Sequence, residues 1–191
     1  ALVVFVLGVL LPTALIARVP IRAFVRAVAE PATIAFSTTS SEAALPRAME
    51  SMEGFGVPRE TVAFVIPLGY SFNLTGSTLY LSLASIFVAQ AAGMQLSWGR
   101  QLVIMLMLML TSKGVAGVSR ASIIILLGAA DQFGLPKEPI LLLLGVDQFL
   151  DMGRTAVNVI GNCLSSAIVA RWEGEFGKEK PSPAAAEAVA Q

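Results

Sequence analysis

The sequence predicts an all-α integral membrane protein. Of its 191 residues 55% are hydrophobic and 14% charged, and mean hydropathy is +0.76, above what a water-soluble domain tolerates. The apolar residues fall in long uncharged blocks rather than in short alternating runs, and the few charges that interrupt the last block recur with a helical period. Lys and Arg number 13, as do Asp and Glu, so neither the basic excess that binds nucleic acid nor an acidic tail is present. With no His and one Cys, Cys163, the chain lacks thiol–imidazole pairs, most zinc sites, a disulfide framework and a histidine base for a serine nucleophile. The composition therefore points away from an enzyme and from an organic cofactor, and makes the lipid bilayer the first partner.

The first element, a span over residues 1–20, rests on the uncharged run Leu2 to Ala17. The chain opens on Ala1 with no initiating Met, basic leader or cleavage site, which reads as an internal start and hence a fragment. Arg18, Arg22 and Arg26 follow at once and, with Arg47 and Arg59, mark this side as cytoplasmic by the positive-inside rule. Ala89 to Ser97 is uncharged, whereas Arg171, Lys178 and Lys180 put the C-terminus inside as well, as expected of a multi-pass protein of the inner (plasma) membrane.

Residues 22–56 contain two weakly apolar arms around the hydroxyl run Ser37 to Ser41, and are no spanning helix. Two readings stay open: a cytoplasmic loop in which Ser41 or Thr39 caps a helix over AALPRAME, or a half-length hairpin entering from the cytoplasmic side.

Residues 58–93 form one long apolar stretch cut at its centre by Gly69, Tyr70, Ser71, Asn73, Thr75, Gly76 and Ser77. Helix-poor residues there predict an unwound centre, which membrane depth tolerates only where backbone lines a cavity or binds an ion. The alternative is a small-residue surface for close helix packing. Asn73-Leu74-Thr75 fits a glycosylation sequon, but its apolar surroundings speak against an exposed acceptor.

Over residues 97–134, the arms LVIMLMLML and ASIIILLGAA flank TSKGVAGVSR. An arm of about ten residues reaches ~15 Å, half the hydrocarbon core, so the pair predicts a re-entrant helical hairpin on the external side. Lys113 in its tip is costly at mid-membrane unless it snorkels, pairs or faces water.

The last span, residues 138–172, carries Asp147, Asp151, Arg154, Asn158 and Asn162 inside an apolar run. At about 100° per residue these share one stripe roughly 80° wide, with Thr155 at its edge. Each charge at the bilayer centre costs at least ~2.5 kcal/mol on insertion scales, so the group implies a ligand, an ion or a proton path. An Asp–Arg pair that only staples helices together is the plainer alternative. Residues 175–191 are polar and Pro/Ala-rich, predicting a disordered cytoplasmic tail.

The segments FSTTSSEAALPRAME, PLGYSFNLTGSTLY, LTSKGVAGV and GVDQFLDMGRTAVNVIGN, in this order and spacing, resemble the transport domain of the dicarboxylate/amino acid:cation symporter family over nearly all of residues 1–174. The resemblance implies the C-terminal part of an elevator-type carrier with two re-entrant hairpins, a broken helix and a polar-striped last helix. It also implies a homotrimer, assembled through a scaffold domain outside this segment, that moves glutamate, aspartate or C4-dicarboxylates. By the same resemblance Arg154 would grip the solute's distal carboxylate and Asp151 its amino group. Asp147, one turn back, would orient Arg154. Thr155, Asn158, Ser77, Ser40 and Ser41 would bond the rest of the solute, while Gly117 and Val118 would close over it. For the coupling cation, Gly69, Asn73, Thr75, Ser112, Asn158 and Asn162 would supply oxygens, a possible sodium site.

The chain departs from the family pattern where Asn162 and Thr75 stand in place of Asp ligands, and where Ser119-Arg120 replaces a common Pro-Gly pair. Losing two anionic ligands weakens a sodium site and leaves H+ as the expected coupling ion, carried by titration of a carboxyl such as Asp151 or Glu42. Alternatives are a sodium-coupled carrier, an ion channel lined by the polar stripe, an intramembrane enzyme using Asp147 and Asp151, and a truncated product inactive by itself.

Overall fold

The computed structural model describes residues 1–72, 75–111 and 121–178, and every regular element among them is helical. The chain begins with α1 (Leu2–Phe5), a π-helical turn (Val6–Leu10) and α2 (Leu11–Ile16), which run on as one apolar rod and stop where Arg18 turns left-handed at φ 55°. Helices α3 (Ile21–Thr38) and α4 (Ser41–Phe55) form a hairpin. Its sides are tied by Arg47, whose guanidinium donates to Glu30 at 2.6 Å and to Glu50 at 2.9 Å. These arms, of 18 and 15 residues, are longer than the two short arms the sequence suggested. Pro31 and Pro46 lie inside them, each removing one backbone donor.

The hydroxyl run makes the hairpin tip. Ser37 and Thr38 end α3 by donating to the carbonyl of Ile34, Thr39 takes the left-handed conformation at φ 52°, and Ser40 turns extended. The cap of α4 is Ser40, whose hydroxyl accepts from the amide of Ala43 at 3.2 Å, and neither Ser41 nor Thr39 fills that role. Thr39 is spent on the reversal and Ser41 is already the first helical residue. Replacing Ser40 with alanine in the full-length protein should cost about 1 kcal/mol, read as a lower unfolding temperature in detergent without substrate.

Helices α5 (Arg59–Phe72) and α6 (Thr75–Ala91) occupy the predicted broken span. Gly69, Tyr70, Ser71, Thr75, Gly76 and Ser77 are all helical, so the wide unwound centre expected over them is not found, and Asn73 lies outside the described residues. Gly costs a helix only about 1 kcal/mol, and close packing against the last helix offsets it here. Taken across residues 73–74, Arg59–Ala91 is the one stretch among the described residues long and apolar enough, by length and composition, to cross a membrane.

Helices α7 (Trp98–Thr111) and α8 (Ala121–Phe133), of 14 and 13 residues, rise only ~20 Å each. Ser112, Lys113, Gly117, Val118, Ser119 and Arg120, between them, lie outside the described residues, as does the tail from residue 179. The 35-residue α9 (Glu138–Trp172) completes the fold.

Two apolar cores form around α9. One joins α2–α5 to its C-terminal half through Ala35, Ala44, Ala48, Val159, Cys163 and Ala167. The other joins α6–α8 to its start through Leu81, Leu108, Leu126 and Ile140. Outward faces carry Val4, Phe64, Leu142 and Phe149, all well exposed, as suits helices that meet lipid. The polar stripe of α9 falls between the two cores.

Candidate functional site

Residues 147–162 of α9 follow the predicted period, and packing turns their polar face inward. Asp147, Asp151, Arg154, Thr155, Asn158 and Asn162 are all buried, Arg154 at 1% exposure being among the largest fully buried side chains. Charges this far from water persist only when paired. Arg154 donates from Nε to Asp151 Oδ1 at 2.9 Å and from Nη1 to Asp147 Oδ1 at 3.0 Å. Thr155 donates to Asp151 Oδ1 at 3.4 Å. Asp147 thus acts on Arg154 from seven residues away, two helical turns rather than the single turn expected from the sequence, and the guanidinium lies back along its own helix to reach it.

The cluster is unsaturated. Arg154 Nη2 and Asp147 Oδ2 are buried without a hydrogen-bond partner among the described residues. An unused guanidinium donor beside two carboxylates suits an incoming carboxylate that can take a planar, charge-assisted bond.

Helix α6 closes the site from the other side. The Arg154 guanidinium carbon stands 4.3 Å from the centre of the Tyr80 ring, a cation–π contact. Asn158 Oδ1 accepts from the Gly76 amide at 2.7 Å and the Ser77 amide at 3.4 Å, while its Nδ2 donates to Ser77 Oγ at 3.1 Å. Asn158 thus ties α9 to the backbone and the hydroxyl at this end of α6. Backbones come close here because Gly76 has no Cβ: one built there would sit 2.5 Å from the Arg154 carbonyl oxygen. Tyr80 and Arg154 also reach the wall of an otherwise apolar cleft of about 420 Å³ between α1, α6 and α9.

One turn further along α9, Gly69 of α5 faces Asn162. A Cβ at Gly69 would lie 2.5 Å from Asn162 Oδ1, and Thr75 Oγ1 sits 3.1 Å from the Cβ position of Gly161. Both amide atoms of Asn162 and the Thr75 hydroxyl are buried without a partner among the described residues. These oxygens are neutral, so any cation there would meet carbonyl and hydroxyl dipoles without a carboxylate from Asn162 or Thr75.

Of the residues singled out from the sequence, Asp147, Asp151, Arg154, Thr155, Asn158 and Ser77 come together, and Gly69, Thr75 and Asn162 gather beside them. Ser40 and Ser41 stand at the α3–α4 tip, and neither hydrogen-bonds to α9 among the described residues. Asn73, Ser112, Gly117 and Val118 lie outside the described residues. Sequence reasoning missed Tyr80 as the ring beneath Arg154. Its place four residues after Gly76, one turn along the helix that packs on the stripe, was the available signal.

The chain matches the model of the "Sodium:dicarboxylate symporter family" over residues 1–172. It is 52% identical over 147 residues to the "Proton/sodium-glutamate symport protein" of Bacillus caldotenax, covering 77% of this chain and 35% of that protein. It is 44% identical over 180 residues to the "Proton/glutamate-aspartate symporter" of Escherichia coli (strain K12), covering 94% of this chain and 41% of the relative. It is 46% identical over 158 residues to the "C4-dicarboxylate transport protein" of Bacillus subtilis (strain 168), covering 82% and 38%. The matched segment thus spans well under half the length of these relatives. The match over 172 of 191 residues, with the buried Asp–Arg cluster inside it, is decisive: the chain belongs to the sodium:dicarboxylate symporter family, a family of membrane transporters and not of enzymes.

Proposed function

We propose that this chain forms the solute-binding part of a secondary active symporter that moves glutamate, aspartate or a C4-dicarboxylate together with H+. The observation that carries the reading is the fully buried Arg154, held by Asp147 and Asp151 and backed by Tyr80, with one guanidinium nitrogen unpartnered among the described residues. Arg154 takes the solute's distal carboxylate, Asp151 takes an amino group where there is one, and Thr155, Asn158, Ser77, Ser40 and Ser41 serve its remaining polar atoms. The relatives named for glutamate, aspartate and C4-dicarboxylates carry this same class of solute.

In this reading α3–α4 and α7–α8 are re-entrant hairpins, with Gly117 and Val118 at the external gate. The unit moves as an elevator against a trimeric scaffold in the full-length protein, and its C-terminus faces the cytoplasm. The neutral Asn162 and Thr75 beside Gly69 favour H+ over Na+, because a sodium ion there would lack two carboxylate ligands. A relative named for both proton and sodium keeps Na+ as the second reading.

The coupling ion is tested with the full-length carrier in proteoliposomes. Aspartate uptake should persist when sodium is replaced by choline and should stop when a protonophore collapses the pH gradient. Uptake that needs sodium and ignores the protonophore would assign the coupling to Na+.

A further inference from the structure

The basic side chains at the junction of α2 and α3 have no use in the solute site. Elsewhere in the described chain most such groups are engaged. Arg47 pairs with Glu30 and Glu50, Lys137 with Asp131, and Arg154 with its two aspartates. Arg100 donates to the Phe133 carbonyl and Arg171 lies over the Phe176 ring. Arg18, Arg22 and Arg26 are exposed, and none has a carboxylate within ion-pair distance among the described residues. Arg22 and Arg26 stand one turn apart on the same face of α3, and the next group along that face, Glu30, is drawn toward Arg47 at 2.6 Å. The left-handed turn at Arg18 ends α2 just before α3 starts, placing the third guanidinium at the foot of that face.

The surroundings of these cations are apolar. Ile16 is 84% exposed, and Leu15 and Val25 are each more than half exposed, while Phe24 and Val28 face the core. The level of the patch is fixed by an aromatic chain: Phe24 meets Phe55 at 5.8 Å and Phe55 meets Phe176 at 5.1 Å. The start of α3 therefore lies at the same end of the bundle as the end of α9, where Trp172 projects into the surroundings at 80% exposure. An exposed Trp at the depth of Arg residues that have no carboxylate partner among the described residues, with bare aliphatic side chains alongside, marks a membrane–water interface.

We propose that Arg18, Arg22 and Arg26 form a binding site for the headgroups of anionic phospholipids. The guanidinium forks hold phosphate oxygens while Leu15, Ile16 and Val25 lie against the acyl chains. This goes beyond solute transport and depends only on the chain's residence in a membrane. Soluble phosphate offers the same oxygens but no acyl chain, so the exposed aliphatic side chains select the lipid.

The test uses the full-length carrier in detergent, with bound lipid counted by native mass spectrometry during titration with phosphatidylglycerol or phosphatidylcholine. Phosphatidylglycerol should be retained in preference to phosphatidylcholine. The R18Q/R22Q/R26Q variant should lose that preference by at least about tenfold, whereas R59Q should keep it. The R18K/R22K/R26K variant, which retains the charge but not the forks, should keep a preference between those of wild type and the triple Gln variant. Because all three side chains are exposed, the unfolding temperature without added lipid should not change. Equal retention of the two lipids, an unchanged preference in the triple Gln variant, or displacement of phosphatidylglycerol by millimolar inorganic phosphate would overturn the proposal.

Discussion

Arg154→Ala in the full-length carrier is expected to abolish uptake of acidic solutes, by at least about a hundredfold if the guanidinium makes a desolvated charge pair worth ~3 kcal/mol or more. Truncation also takes the guanidinium away from the buried carboxylates of Asp147 and Asp151, and removing one partner of a buried pair costs ~3–5 kcal/mol. The alanine variant therefore mixes lost recognition with lost stability, and Arg154→Lys separates them. Lysine keeps the positive charge between the two carboxylates but cannot present a planar fork to both and to a solute at once. The lysine variant should elute as a folded oligomer and yet bind aspartate far more weakly than wild type. Aspartate, glutamate and succinate uptake retained in Arg154→Ala would remove Arg154 from the binding site.

Gly76→Ala is expected to have the second-largest effect, although it adds one methyl group and touches no charge. The added Cβ would sit 2.5 Å from the Arg154 carbonyl oxygen and 3.1 Å from its Cα. Backbone cannot swing aside as a side chain does, so α6 and α9 must move apart. Overpacking of this kind costs about 1–3 kcal/mol. The same shift stretches the 2.7 Å bond from the Gly76 amide to Asn158 and lifts Tyr80 from the guanidinium, so binding falls along with stability. Gly145→Ala is the control: on α9, with nothing within 4 Å of its Cβ position, it should leave stability unchanged or raise it by up to ~1 kcal/mol. Similar unfolding temperatures for the two variants would show that the close approach at Gly76 does not constrain the fold.

The polar face of α9 was legible because two independent rules agree on it. A charge in an apolar run is costly, and the spacing from Asp147 through Asn162 returns to one side of a helix every turn. What covers that face was not legible, since nothing local to α9 encodes the arrival of Gly76 or Tyr80 from more than seventy residues away. The residues from Gly69 to Phe72 and from Thr75 to Ser77 are helical where unwound backbone is expected of them, and the reason is definite: Gly and Ser signal either a broken helix or a close helix crossing, and the choice is made by the partner. Here Asn162 and the Arg154 backbone are that partner. At the α3–α4 tip, five hydroxyl residues in a row made the reversal evident but left the capping residue open, and the left-handed Thr39 decides it in favour of Ser40.

In the proposed symporter the buried guanidinium of α9 reads a distal carboxylate. Calorimetric titration of the purified full-length carrier tests it most directly, comparing aspartate and succinate with alanine, which shares aspartate's amino and α-carboxyl groups but lacks the distal carboxylate. At least one of the two dicarboxylates should bind saturably, and alanine should bind more weakly by about a hundredfold or more. Alanine binding as tightly as aspartate and succinate, or no saturable binding of either dicarboxylate, would contradict it.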